Sequence, residues 1–197
     1  LDRRQRQMCI RDRSISDGSG IASNYTLTNG TLTMTILPRT TTVSGTKVYD
    51  GTTTVRPENL TSFTNLAGSD TLSLSGTGTI SSVDVGNGKS VNTSGLTIDN
   101  SSGVGSNYTL SSASINVTER VISLNGVRAF DGTSNASSTD ISINNLVSGE
   151  DLALSGSGTV PNATVEMNKP ITLGSLSVSD GSGGKSSNYT LTGGSHT

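Results

Sequence analysis

The chain has 197 residues, enough for one ordinary domain or two small ones, and only 30% of them are hydrophobic and 3% aromatic. No run approaches the ~20 apolar residues of a membrane-crossing helix, and 14% charged residues without heptads exclude a coiled coil. Five of the thirteen basic and two of the fifteen acidic residues fall in residues 1–13, so residues 14–197 carry a formal charge of −5, which argues against nucleic acid or an anionic membrane as partner.

Residues 1–13 form an arginine-rich head that lacks the apolar stretch of a secretory signal. They read as a non-native or disordered tail and are set aside from the fold. Cys9 is the only cysteine, so the body can build neither a disulfide nor a thiolate metal site. Residues 14–39 read as the C-terminal part of a truncated repeat, closing on the alternation of Thr31–Ile36. Residues 40–120 form a complete repeat, and residues 121–197 a further repeat lacking its last strand. The chain is therefore expected to be a piece of a longer tandem array.

Self-comparison carries these boundaries. Val48-Tyr49-Asp50-Gly51-Thr52 returns 81 residues later as Ala129-Phe130-Asp131-Gly132-Thr133, and Ser-Asn-Tyr-Thr-Leu stands at 23–27, 106–110 and 187–191. Within each repeat the apolar residues alternate with polar ones, as at 72–75, 83–85, 141–143 and 176–178. Ser111–Thr118 puts Ala113, Ile115 and Val117 on one face. That period of two predicts half-buried strands, separated by glycine-rich turns. The one candidate for a helical turn is Asn65–Asp70 with its copy Asn145–Glu150. A period of ~80 residues is too long for a stacked solenoid and long enough for a small core. The fold is expected to be all-β: elongated tandem antiparallel β-sandwich (Ig-like) modules, linked near Pro38-Arg39 and Glu119-Arg120. The alternative is a β-grasp-like module with the turn at Leu66 as its short helix.

The repeated residues are the candidates for function. Tyr49 and Phe130 precede the Asp-Gly pair, and Tyr25, Tyr108 and Tyr189 follow the repeated asparagine. Exchange of Tyr for Phe at one position favours rings that fill a core over hydroxyls that do chemistry. Asp50-Gly51 and Asp131-Gly132 suit a turn in which aspartate accepts a backbone hydrogen bond and glycine takes positive φ. A calcium site there is the sharper alternative, although no EF-hand or nonapeptide spacing is present. Asn24, Asn107 and Asn188 read as caps of the loop into the Tyr-Thr-Leu strand, and also as glycosylation sequons. Lys89 and Lys169 match in position and read as turn lysines, with a Lys–Asn isopeptide crosslink as the alternative. Catalysis has no footing: His196 is the sole histidine, and no Ser/His/Asp set or phosphate-binding loop is present. Neither a cofactor nor a metal is expected.

Taken together, the Tyr-Asp-Gly-Thr motif, the Gly76-Thr77-Gly78 centre and the closing Asn-Tyr-Thr-Leu strand resemble the YDG-motif repeats of large secreted bacterial adhesins, similar to filamentous haemagglutinins exported by two-partner secretion. The resemblance covers residues 14–197, with Phe130 departing from the motif tyrosine. It implies an extracellular, cell-surface setting and a non-catalytic spacer or stalk role, with neighbouring repeats as partners and host or bacterial surface glycans as further candidates. Glycan or calcium binding by the repeats is the alternative, and an accessory module of a carbohydrate-active enzyme a second.

Overall fold

The computed structural model describes residues 16–25 and 33–197, and the chain divides into two units, Leu1–Leu37 and Pro38–Thr197. In the first unit Asp17 Oδ1 accepts the Ala22 N–H at 2.5 Å, and one 3-10 turn, Ala22–Asn24, leads to an exposed Tyr25. The tail expected at 1–13 lies outside the described residues. Residues 33–37 carry no strand, and Met34, Ile36 and Leu37 are exposed. This corrects the strand expected from the alternation there. Such a pattern becomes a strand only where neighbours complete its backbone hydrogen bonds.

The second unit holds the upstream and downstream sequence copies, and no α-helix occurs among the described residues. The upstream copy contributes β1 (Arg39–Val48), β2 (Thr54–Val55), β3 (Leu60–Thr64), β4 (Leu72–Gly76), β5 (Gly78–Thr79), β6 (Gly86–Val91), β7 (Leu96–Asn100) and β8 (Tyr108–Thr118). The downstream copy contributes β9 (Arg120–Val121), β10 (Ser123–Gly126), β11 (Asn135–Ser137), β12 (Ile141–Asn144), β13 (Leu152–Ser155), β14 (Ser157–Thr159), β15 (Ser177–Asp180) and β16 (Tyr189–Thr190). The all-β expectation matches this arrangement.

The pairing does not follow the expected antiparallel pattern throughout. The main sheet runs β3-β1-β8-β6, and its two central strands, the first and last of the copy, are parallel from Arg39↔Tyr108 to Val48↔Thr118. Parallel neighbours need a long crossover, and residues 49–107 supply it, building the antiparallel pairs β2·β5 and β4·β7 on the way. The downstream copy repeats the scheme with β10·β12, β11·β14 and β13·β15 antiparallel and β9·β16 parallel. Alternation fixes which face a strand buries but not which strand lies beside it. That is why the parallel centre was not foreseen. The register of β1 on β3 slips at Gly45, where a Cβ would stand 1.7 Å from the Asn59 carbonyl oxygen. Only glycine lets the backbones approach so closely.

The expected helical turns are plain turns. Asp70 N–H reaches the Ala67 carbonyl at 2.9 Å and Glu150 N–H the Val147 carbonyl at 3.0 Å. Asn65 and Asn145 open them at φ of 58° and 70°, in the left-handed region that asparagine tolerates. Arginine locks each turn: Arg39 Nη2 donates to Asn65 Oδ1 at 2.8 Å, and Arg120 Nη2 to Asn145 Oδ1 at 2.7 Å.

Along β8 the predicted face is the buried one: Ala113, Ile115 and Val117 pack with Val43, Val55 and Leu60. The same cluster continues into the downstream copy through Tyr49, Ile122, Leu152 and Tyr189. A smaller cluster, Leu124, Ala136, Ile171 and Leu176, belongs to the downstream copy alone. The larger cluster therefore spans both copies, while the downstream copy keeps the smaller one to itself.

Candidate functional site

The Asp-Gly loop is built around a cation that lies three residues upstream. Asp50 Oδ1 accepts the Thr52 N–H and hydroxyl, both at 2.9 Å, while Gly51 takes φ 73°. Lys47 Nζ meets the same oxygen at 2.8 Å and donates to the Thr54 carbonyl at 2.8 Å and the Thr52 carbonyl at 3.0 Å, although the lysine is almost wholly buried. Burial would raise the Asp50 pKa, but the lysine and the Thr52 donors outweigh it and hold the carboxyl below its ordinary value. The downstream loop copies this with Arg128 in place of Lys47. Asp131 accepts Thr133 N–H at 2.8 Å, Gly132 takes φ 77°, and the guanidinium of Arg128 draws the carboxyl down to about 2. Each motif aspartate therefore has a cation of its own. The chain pattern that announces this, a basic residue three before each Asp-Gly, was visible but not singled out.

The motif rings meet where one copy joins the next. Tyr49 of the upstream copy and Tyr189 of the downstream copy stand edge to face, with centroids 5.4 Å apart and planes at 80°. Their hydroxyls converge on one carboxylate: Tyr49 donates to Glu150 Oε1 at 2.5 Å and Tyr189 to Oε2 at 2.6 Å. Burial, then the hydrogen bond to Glu150, pushes both phenols above their ordinary pKa. Beside them Asn188, fully buried, accepts the Val85 N–H at 2.9 Å and donates to Asp84 Oδ1 at 3.0 Å. Lys185 Nζ closes the group on Asp84 Oδ2 at 2.7 Å. Asn188 therefore bridges two copies, in place of the expected local cap, and its buried amide leaves no room for a glycan.

These contacts follow the repeat motif, and the sequence comparison agrees. A family model described as the YDG domain matches residues 30–115 and again residues 118–197. The chain belongs to the YDG domain family. No curated protein and no solved structure matches it.

The motif positions of the two YDG copies are not in equivalent surroundings. Tyr108 repeats the role of Tyr189 within its copy, donating to Asp70 Oδ2 at 2.6 Å and accepting the Ala67 N–H at 3.0 Å. Asn107, by contrast, is exposed, as are Asn24 and Tyr25 in the first unit. Phe130 stands 68% exposed where Tyr49 is 3% exposed, so the ring expected to fill a core lies on the surface. The paired lysines serve the loops: Lys89 Nζ donates to the Ser82 carbonyl at 3.1 Å and Lys169 Nζ to the Asn162 carbonyl at 3.0 Å. Near Phe130 a cleft of about 470 Å³ opens between Asn125–Phe130 and Asn162–Lys169. It lies where the upstream copy holds the C-terminal half of β8. Among the described residues, no three His, Cys, Asp or Glu side chains gather to hold a metal ion.

Proposed function

We propose that this chain is a non-catalytic spacer, a stretch of stalk from a large extracellular or surface-borne bacterial adhesin. The observation that carries this reading is the joint itself. Two tyrosines, one from each copy, donate to the two oxygens of Glu150, and the core runs through the joint without interruption. The most characteristic residues of the motif are thus spent on holding one repeat to the next and on closing turns, which suits a protein whose work is to extend and endure. The small, polar, cysteine-free body fits passage to the cell exterior, and the motif combination fits surface repeats. The upstream copy, with its first and last strands parallel at the centre of its main sheet, is closer in our reading to the β-grasp-like alternative than to an Ig-like sandwich.

Force extension of a covalent tandem of the chain, held between inert handles, tests the spacer role. Each YDG copy should lengthen the chain by up to ~3.5 Å per residue on unfolding, in regular steps and at forces well above those of the handles. Featureless extension at low force would overturn the reading. Glycan-array binding, or a melting shift on adding calcium, would favour the adhesive alternative, whose loops at Asp50 and Asp131 already hold Lys47 and Arg128.

A further inference from the structure

The downstream copy pairs its strands with the help of a side chain where the upstream copy relies on backbone. In the upstream copy β8 lies beside β1 from Arg39↔Tyr108 to Val48↔Thr118. Downstream, the matching parallel pair stops at Thr190↔Val121, the chain turns at Leu191–Gly194, and pairing resumes at one parallel bridge, Leu124↔His196. Leu124 corresponds to Val43, so His196 stands where β8 has Ala113. Here an imidazole takes a backbone proton: the N–H of Leu124, a residue 1% exposed, donates to His196 Nδ1 at 3.1 Å. The other ring nitrogen, Nε2, lies 3.1 Å from the Leu191 carbonyl oxygen. A Cβ on Gly194 would stand 2.9 Å from the ring carbon Cε1 and 2.2 Å from the Ile122 carbonyl oxygen, so this glycine makes the room in which the ring lies. These partners admit a single protonation state. A backbone N–H only donates, so Nδ1 is a bare acceptor; a carbonyl only accepts, so Nε2 carries the proton. A second proton would go to Nδ1, setting two donors against each other and leaving the buried Leu124 N–H without a partner.

We propose that His196 is a proton-operated clip: neutral, it fastens residues 191–197 to β10, and protonated, it lets them go. Little else holds the segment. Its remaining backbone bonds to other strands run from Thr197 N–H to the Leu124 carbonyl, from Gly126 N–H to Thr197 and from Ile171 N–H to the His196 carbonyl, each at 2.9 Å. The stretches around the ring, 122–126, 171–173 and 190–195, hold no Asp, Glu, Lys, Arg or second His. The one charge beside them is the carboxyl group of Thr197, which takes the Gly126 N–H. Nothing there therefore compensates a charged imidazole at Nδ1. Histidine in water titrates near ~6.5, and below that each pH unit moves the balance between fastened and released forms by up to tenfold towards release. The carboxyls of Asp50, Asp84 and Asp131, all held below their ordinary values, stay ionised over that interval, so the clip opens while the Asp-Gly loops and the joint keep their ion pairs. The proposal makes no use of the spacer reading; a stalk can resist force whether or not this segment responds to pH.

Amide hydrogen exchange in the full chain, with each rate taken relative to that of an unstructured peptide at the same pH, tests it. Protection of the Leu124 amide should fall by about tenfold or more between pH ~8 and pH ~5, while that of the β8 amides holds. Nitrogen chemical shifts of His196 at pH ~8 should place the ring proton on Nε2. His196→Asn sets an acceptor oxygen at the place of Nδ1 and does not titrate, so Leu124 should stay protected at both pH values. His196→Ala should leave Leu124 unprotected at both. A ring proton found on Nδ1 would overturn the proposal, as would Leu124 protection that is unchanged on acidification or that falls equally in His196→Asn.

Discussion

Tyr49 and Phe130 occupy the same motif position, yet truncating them should have opposite consequences. Tyr49→Ala removes a ring that is 3% exposed and stacked edge to face on Tyr189. Deleting buried rings costs about 3–5 kcal/mol. Tyr49→Phe isolates the hydroxyl, whose hydrogen bond to the Glu150 carboxylate is of the charged kind, about 1.5–3 kcal/mol. Phe130→Ala trims an exposed ring and should change stability by no more than about 0.5 kcal/mol. At the usual scaling of about 2–4 °C per kcal/mol for a unit of this size, Tyr49→Ala should lower Tm by about 10 °C and Phe130→Ala should leave it unmoved. Urea titrations followed by circular dichroism measure all three. Equal costs for Tyr49→Ala and Phe130→Ala would refute the assignment of the joint, as would a Tyr49→Phe cost near zero.

Asp50→Ala should cost about 1–3 kcal/mol by stranding the buried Lys47 ammonium, and a cycle with Lys47→Met should recover much of that loss; additive costs would count against the pairing. Depressed carboxyls stabilise the fold above their unfolded pKa of ~3.9 and lose that contribution as pH falls through the folded value. Urea midpoints should therefore drop on acidification towards the Asp131 value of about 2, and Asp131→Asn should flatten the drop. Raised phenols act in the other direction, and their contribution, complete below ~10, is lost as pH rises through the folded values. Alkaline midpoints should fall less steeply in Tyr49→Phe than in the unaltered chain. Gly45→Ala forces a Cβ onto the Asn59 carbonyl and should cost about 2 kcal/mol or more, read from the same titrations.

Much of the fold was legible because strand burial has a period of two. Ala113, Ile115 and Val117 declare a buried face whatever lies next to them. The parallel centre was not legible, since hydrophobic pattern is silent about partners 69 residues apart such as Arg39 and Tyr108. For the same reason Tyr49 and Phe130 looked alike: the difference between them is made by Glu150 and Tyr189, far along the chain and in another copy. Asn188 looked like a local cap because its sequence neighbourhood is a loop, but its amide faces Asp84 and Val85. The Lys47–Asp50 and Arg128–Asp131 pairs lay within reach of sequence reasoning, at matching positions three residues apart.

The parallel embrace of β1 and β8 has a mechanical meaning. A pull on a copy from its two ends draws β1 by Arg39 and β8 by Thr118, sliding the strands lengthwise past each other in shear. The evenly spaced bonds between them then carry the load side by side, and none gives way until most do. A hairpin tugged at its open end would unzip one rung at a time. Ends placed at opposite ends of neighbouring parallel strands make the upstream copy a clasp rather than a zip.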